Sequence, residues 1–205
     1  MLRIGIILGS TRPNRRGALV APWVAEIARQ HSLARDVGAQ VELIDLADSG
    51  LTLLEEPAPA MFGTYQHEHT RRWSRQIDNL DAFVFVTAEY NHSIPAALKN
   101  SVDHLFSEWN DKAAGIVSYG VNGGTRAAEH LRQVLAEVKV ATVRTQPALS
   151  VFEDFVIEDP LAPGQFDPRD MQRAVVEEML DELGSWASAM QSVRQHSAAP
   201  AERPV

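Results

Sequence analysis

Basic side chains are gathered with a serine and two glycines in residues Leu8–Gly17, which read LGSTRPNRRG. Ser10 offers a hydroxyl and an amide, while Arg12 and Arg16 can form charge-assisted hydrogen bonds with a dianionic phosphate. A helix that starts at the end of this segment would add free N–H groups and the positive end of its dipole. We name residues 8–17 loop one and predict that it binds a small anion. The alternative is a solvated basic turn.

A second polar segment, Glu89–His92, follows an apolar run and reads EYNH. A hydrogen-bonding loop with an aromatic side chain suits the edge of a flat heteroaromatic ligand. Alternatively, Tyr90 is an ordinary half-buried aromatic residue, and Asn91 caps the helix that follows. Pro95 would lie in the first turn of that helix, where proline is favoured. We name residues 89–92 loop two.

Loop three, residues 118–124, reads SYGVNGG and comes before an amphipathic helical pattern. Three positions after the apolar run, Gly120, Gly123 and Gly124, carry no side chain, so the backbone can approach a planar ligand closely. The alternative is a flexible surface loop. The helical pattern that follows directly favours an ordered helix start.

Short runs of branched apolar residues alternate with helical patterns along the chain. This alternation predicts a mainly parallel sheet with helices on both faces. Parallel strands end at one edge of a sheet, so the three loops should converge on one ligand. The predicted strands are residues 2–8, 41–46, 82–87, 113–119 and, more loosely, 142–151. Apolar residues recur at helical spacing in 20–27, 73–80, 98–109, 131–138 and 171–190.

One domain is expected over residues 1–190, since no linker or repeat divides the 205 residues. The Pro-rich segment 55–63 is predicted to be a surface loop. The end of the chain, residues 191–205, is predicted to be a disordered tail.

Composition excludes several classes of function. A net charge of -8 disfavours nucleic-acid partners, and the absence of cysteine excludes disulfides, iron–sulfur clusters and thiolate chemistry. Loop one carries neither a Gly-Lys-Ser/Thr sequence nor a G-x-G-x-x-G fingerprint, which disfavours an NTPase. No leader or membrane-spanning run is apparent, so we expect a cytoplasmic protein without a membrane partner.

His67 and His69 are spaced as a pair of metal ligands could be, but no third ligand follows at a recognised spacing. We therefore predict no metal site. His104 is expected to be a packed or interface residue rather than a base.

Three segments, GSTRPNRRG, AEYNHSIPAALKNSVDHLF and SYGVNGGTRAAEHLRQVL, resemble in order and spacing the NADPH-dependent FMN reductase family, which includes quinone, azo-dye and chromate reductases. The resemblance covers about residues 2–150. It implies a flavodoxin-like three-layer α/β sandwich whose five-stranded parallel sheet has the order 2-1-3-4-5. Two departures stand out. Ala88 replaces the proline common before Glu-Tyr-Asn, and Arg15 and Gly17 replace Ser and Asn often found late in loop one.

The resemblance also implies a non-covalently bound FMN. Loop one would hold its phosphate, loop two would border the isoalloxazine ring, and loop three would pack along another part of that ring. The implied phosphate residues are Ser10, Arg12, Arg16, Gly17 and Ala18. The implied ring residues are Glu89, Tyr90, Asn91, His92, Ser118, Tyr119, Gly120, Gly123 and Gly124.

The implied reaction is ping-pong hydride transfer from NADPH or NADH to the flavin and on to a quinone, azo compound, free flavin or metal oxyanion. No side chain needs to be a nucleophile or obligate acid, so we name no catalytic residue; amides of loop two are the auxiliary candidates. The resemblance further implies a homodimer or homotetramer. Residues 106–112, FSEWNDK, can anchor such an interface, or can be a helix end tucked under a loop.

Two other functions stay open at this point. The chain can be an FMN-carrying electron shuttle or redox sensor that turns over nicotinamide poorly. Shuttles usually present a strongly acidic docking surface, however, and -8 over 205 residues is mild. A weaker alternative is a flavin-free fold that uses loop one for another phosphorylated ligand.

Overall fold

The structure is a computed structural model that describes residues 1–198. Its centre is a parallel sheet. The strands are β1 (Arg3–Leu8), β2 (Gln40–Asp45), β3 (Ala82–Ala88), β4 (Lys112–Gly120), β5 (Val140–Thr142) and β6 (Ala148–Ser150). In this sheet β1, β3 and β4 are buried along most of their length and the edge strand β2 is largely exposed. Branched and aromatic side chains with no polar alternation make β3 and β4 suitable for the interior of a sheet covered on both faces.

Helices connect the strands and cover both faces of the sheet. They are α1 (Gly17–Gln30), α2 (Ser32–Arg35), α3 (Glu68–Asp78), α4 (Ala96–Asp103), α5 (Thr125–Glu137) and α6 (Asp170–Ala198). α1 and α6 pack on one face, and α3, α4 and α5 pack on the other, so two apolar cores flank the sheet. No helix within residues 1–198 is long and apolar enough to cross a membrane.

The strand order is β2-β1-β3-β4-β5, which confirms the predicted topology. Leu8 pairs with Val86 and Ala88 pairs with Tyr119, so the carboxyl ends of β1, β3 and β4 lie side by side. The strand order reverses between β1 and β3, because β2 lies on one side of β1 and the later strands lie on the other. Ligands bind at this point in sheets of this kind. The register therefore brings loops one, two and three to one edge.

The fifth position of the sheet differs from the single strand predicted for residues 142–151. β5 pairs with the start of β4 and β6 pairs with its end. Between them Thr145 leaves the sheet, because its amide and hydroxyl donate to the Glu182 carboxylate on α6 at 2.9 and 2.7 Å. Side-chain bonds to α6 thus replace ladder bonds in the middle of this strand.

Within residues 106–112, Trp109 belongs to the core of its own chain, so the predicted interface anchor is wrong for this residue. The Trp109 ring is fully buried, lies edge-on to Phe83 at 5.0 Å between centroids, and donates its Nε1–H to the Val102 carbonyl. Glu108 accepts a hydrogen bond from the Tyr65 hydroxyl at 3.0 Å. The segment lies beyond α4, which ends at Asp103, and leads into β4 at Lys112, so it is a buried turn rather than the helix end of the alternative interpretation.

The predicted disordered tail needs correction for residues 191–198, since α6 continues to Ala198. Arg194 ties this last part of the helix to the sheet by an ion pair with Asp81 at 2.6 Å and a hydrogen bond to the Asp111 carbonyl. Residues 199–205 lie outside the described part of the chain. A two-stranded hairpin, β7 (Phe155–Val156) with β8 (Gln165–Phe166), was not predicted.

Candidate functional site

Loop one turns directly into α1 at Gly17, so the first amides of the helix face the carboxyl edge of the sheet. Within the described chain no side chain caps this helix: its N-cap residue is Arg16. Asn14 adopts a left-handed backbone conformation with φ 56°, which turns the loop back on itself. The amides of Ala18 and Leu19 donate back to the carbonyls of Arg15 and Arg16 at 3.3 and 2.9 Å. With no acidic side chain in its first turn, the positive end of this 14-residue helix still favours an anion.

The arginines of loop one are held in different ways. Arg15 forms an ion pair with Asp45 at the end of β2, and Arg16 donates to the Ala162 carbonyl at 3.4 Å. Arg12 is exposed and lines the site. The guanidinium groups of Arg15 and Arg16 are thereby fixed beside the start of α1.

Three buried polar atoms around this point have no hydrogen-bond partner among residues 1–198: Arg15 Nε, Arg16 Nε and Tyr119 Oη. A buried donor without an acceptor costs roughly 1–3 kcal/mol, and more when it is charged. All three residues line one cavity of about 210 Å³ at the carboxyl edge of the sheet. The chemistry of these donors, two cations and a hydroxyl, suits a phosphate oxygen.

Six of the predicted site residues line this cavity, and they come from all three loops. Arg15, named above only as a departure from the family pattern, lines it too. The walls that sequence reasoning missed include Val121 and Val151, which are the apolar part of the lining. The sequence could have indicated Val121, because it follows Gly120 in loop three. No sequence feature indicates Val151, which follows the interrupted fifth strand. The predicted residues that line the cavity are Arg12, Arg16, Glu89, Tyr90, Tyr119 and Gly120.

Loop two is a tight turn in which Tyr90 and Ser93 exchange backbone hydrogen bonds of 2.9 and 3.1 Å. Asn91 and His92 occupy its centre with φ of 48° and 74°. α4 starts only at Ala96, so Asn91 does not cap it and that alternative is wrong. Tyr90 reaches loop one instead, where its hydroxyl and the Ser10 hydroxyl share a 2.7 Å hydrogen bond.

The backbone of loop two limits which amides a ligand can use. The Glu89 amide donates to the Tyr119 carbonyl and the Tyr90 amide to the Ser93 carbonyl. In the described structure the amides of Asn91 and His92 make no hydrogen bond of this turn. These are therefore the loop-two amides that the turn itself leaves unused.

Glu89 faces the neighbouring helix. Its Oε2 accepts hydrogen bonds from the amides of Arg126 and Ala127 at 3.1 and 3.4 Å, and its Oε1 pairs with the Arg126 guanidinium at 2.5 Å. The residue before α5 is Gly124, which has no side chain to cap the helix. Glu89 supplies the missing acceptor and so ties loop two to loop three.

The glycines of loop three are required by the protein's own packing. A Cβ on Gly124, whose φ is 71°, would lie 2.8 Å from the amide nitrogen and carbonyl oxygen of Tyr119. Ser118 is fully buried and donates its hydroxyl to the Gly123 carbonyl at 2.7 Å. Ser118, Gly123 and Gly124 therefore shape the loop from behind, while Gly120 lines the cavity.

Three of the seven histidines form a separate cluster outside the cavity. The His67 and His69 rings stack at 5.3 Å, and His69 lies edge-on to His104 at 5.8 Å between centroids. His104 is buried, and its ring shares hydrogen bonds with the Thr52 carbonyl and the Thr70 hydroxyl. Among residues 1–198 no group of three His, Cys, Asp or Glu side chains is arranged to hold a metal ion.

A larger neighbouring cavity, of about 450 Å³, lies between the segment after β2 and the start of α4. Thr11 of loop one lines it, together with Leu53 and Asn100, but no residue of loop three does. It is thus separate from the place where the three loops meet.

Comparison with known proteins gives a consistent result. Residues 2–154 match the family model described as NADPH-dependent FMN reductase. An NAD(P)H-dependent FMN reductase of Schizosaccharomyces pombe is 38% identical over 163 residues, which cover 78% of this chain and 79% of the relative. A quinone reductase of Pseudomonas putida is 28% identical over 202 residues, or 93% of this chain and 97% of the relative.

Solved structures share the fold. FerB, a flavoenzyme NAD(P)H:(acceptor) oxidoreductase from Paracoccus denitrificans, aligns with a TM-score of 0.65 and 19% identity, covering 93% of this chain and 99% of that chain. At this identity the likeness concerns the fold alone.

Proposed function

The chain belongs to the NADPH-dependent FMN reductase family, and from this premise we propose that it transfers a hydride from NADPH or NADH, by way of bound FMN, to a small-molecule acceptor. It is an NAD(P)H-dependent oxidoreductase of the FMN and quinone reductase type. FMN is its cofactor, and the nicotinamide is its co-substrate.

One observation carries the assignment of the site: three buried donors without a partner in the described chain, on Arg15, Arg16 and Tyr119, lie with the N-terminus of α1 at a single cavity. Their charge suits the FMN phosphate. The apolar and aromatic lining from Tyr90, Val121 and the adjoining loops suits a flat ring. The residues present thus fit the cofactor, with its phosphate toward loop one and its ring toward loops two and three.

FMN when bound supplies the redox chemistry, namely acceptance of a hydride and its delivery to a second substrate. The protein's part is binding and orientation. Arg12 and Arg16 hold the phosphate, Tyr90 braces loop one through Ser10, and Val121 keeps water from the ring. The amides of Asn91 and His92, which make no hydrogen bond within the loop-two turn, are the proposed donors to the polar edge of the ring.

We further propose that nicotinamide and acceptor use the same exposed face in turn. Quinones, azo compounds, free flavin and metal oxyanions are the acceptor classes that such an open face can serve. The quinone reductase relative supports the quinone class. Substrates that share one face cannot be bound together, so the kinetics should be ping-pong.

Initial velocities of the FMN-loaded protein test this scheme. Rates should be measured with varied NADPH at several fixed quinone concentrations. Parallel double-reciprocal lines are expected, with the same pattern for NADH. Intersecting lines would contradict a shared face, since they require both substrates to be bound at once.

The working protein is proposed to be a cytoplasmic homodimer or homotetramer that binds neither nucleic acid nor membrane. Support for association comes from exposed apolar side chains after β2, among them Leu53, Met61 and Phe62. The net charge of -8 supports the absence of a nucleic-acid or anionic-membrane partner. Light scattering at working concentration should give two or four chain masses, and a monomer mass would reject the proposal.

A further inference from the structure

Tyr119 comes from the end of β4 but its side chain reaches across to the start of α1. It is only 5% exposed. An added Cβ at Gly17 would lie 2.6 Å from the Tyr119 hydroxyl oxygen and 2.5 Å from Leu8 Cδ1. The phenol oxygen therefore takes up the space in which a side chain at residue 17 would stand, and only glycine there permits this approach.

The hydroxyl of Tyr119 is buried, and its hydrogen has no acceptor within residues 1–198. Its two neighbours, the Gly17 amide and the Ser10 hydroxyl, approach the phenol oxygen as donors. Ser10 already shares a hydrogen bond with Tyr90. Burial raises the pKa of Tyr119 above its ordinary value, and so the group keeps its proton and remains a donor at any working pH.

The groups around this hydroxyl determine which kind of acceptor it can donate to. The N-terminus of α1 and the partnerless Nε atoms of Arg15 and Arg16 lie around the same cavity. Every one of these groups is a donor, and two of them are cationic. A negatively charged group with several acceptor oxygens, such as a phosphate, can accept hydrogen bonds from all of these donors together.

We propose that Tyr119 donates its hydroxyl hydrogen to the phosphate of FMN, and that it does so because residue 17 is glycine. This inference rests on the proposed function and moves Tyr119 from the ring, where the sequence resemblance put it, to the phosphate end. Tyr119 then helps the protein to distinguish FMN from riboflavin, which has the same ring and no phosphate.

Flavin affinity measured on the flavin-free full chain tests the assignment. Tyr119→Phe removes the oxygen and keeps the ring, so we expect FMN binding, followed by quenching of flavin fluorescence, to weaken by about 10- to 100-fold, the usual effect of losing a hydrogen bond to a charged group. Riboflavin affinity should stay within about twofold, since no hydrogen bond to a charged group is lost. Tyr65→Phe is the matched control, because the Tyr65 hydroxyl donates to Glu108 away from the cavity.

A second variant tests the geometric part of the proposal. Gly17→Ser should weaken FMN binding more in the wild-type than in the Tyr119→Phe background. The contact of its Cβ with Leu8 Cδ1 is made in both backgrounds, whereas the contact with the phenol oxygen is made only in the first. Thermal unfolding without flavin monitors folding of each variant.

The outcomes separate the two proposals. Absence of FMN binding by the wild-type chain would overturn the proposed function itself. Wild-type binding with unchanged FMN affinity in Tyr119→Phe would overturn only the role of Tyr119. Equal losses for FMN and riboflavin would also overturn it, since they would place the tyrosine at the ring.

Discussion

Replacing Glu89 with alanine is expected to loosen the start of α5 and loop three with it. The Glu89 carboxylate is 7% exposed and accepts hydrogen bonds from the amides of Arg126 and Ala127. The residue before the helix, Gly124, has no side chain, so these amides rely on Glu89. Alanine would leave them facing loop two with no acceptor.

The size of the effect follows from the contacts. Loss of an N-cap acceptor costs about 0.5–2 kcal/mol, and loss of a hydrogen bond to a buried charge about 1.5–3 kcal/mol. The Arg126 side chain is 42% exposed, so its ion pair adds no more than about 1 kcal/mol. We expect Glu89→Ala to lower the free energy of unfolding by about 2–3 kcal/mol, and Glu89→Gln, which keeps an acceptor oxygen, by about 1 kcal/mol.

Urea denaturation of the flavin-free protein, followed by circular dichroism, measures these differences. The matched control is Glu177→Ala on α6, whose exposed carboxylate pairs with Arg173 one turn away; it should cost less than about 0.5 kcal/mol. If Glu89→Ala unfolds with the free energy of the wild type, or of the control, the capping role is refuted.

Three further predictions address the cofactor site, loop three and a buried lysine. Arg12→Ala should weaken FMN retention about tenfold without lowering the melting temperature of the flavin-free protein, because this exposed residue serves the ligand; unchanged FMN affinity in a binding titration counts against it. Gly124→Ala should cost more unfolding free energy than Gly63→Ala, since both have positive φ but only at Gly124 would the Cβ meet backbone atoms; equal losses on thermal denaturation would disprove this. Lys112 is buried, and desolvation lowers its pKa to about 8. Between about pH 8 and 10.5 the unfolded chain holds a proton that the folded chain has released, so wild-type stability relative to Lys112→Met should rise with pH, by up to roughly 3 kcal/mol. A flat difference between pH 7 and 10 would contradict this.

The sequence was a good guide to the sheet and to the loops at its edge. The apolar runs near Ala82 and Ala113 predicted the buried strands, because a strand that is covered on both faces is a nearly continuous run of apolar residues without polar alternation. Strand alternation then brought residues about a hundred positions apart to one edge. The interrupted fifth strand escaped prediction, because Thr145 is drawn out of the sheet by Glu182, a residue far along the chain.

Roles within the site were harder to predict because they depend on where side chains point. Glu89 and Tyr119 look alike in sequence, as polar residues at the ends of adjacent strands. The carboxylate of Glu89 turns to α5, whereas the phenol of Tyr119 crosses to α1. Glycine at residue 17 makes room for the phenol of Tyr119, but this role can be recognised only from the distance to the phenol oxygen in the structure.

An anaerobic absorbance spectrum of the FMN-loaded protein before and after addition of NADPH, with NADH alongside, tests the reductase activity directly. We predict a bound-flavin spectrum that bleaches with the nicotinamide and returns when a quinone is added. A flavin that bleaches with dithionite but with neither nicotinamide would contradict the reductase and favour an electron shuttle or redox sensor. A protein that takes up no added FMN would contradict the site itself.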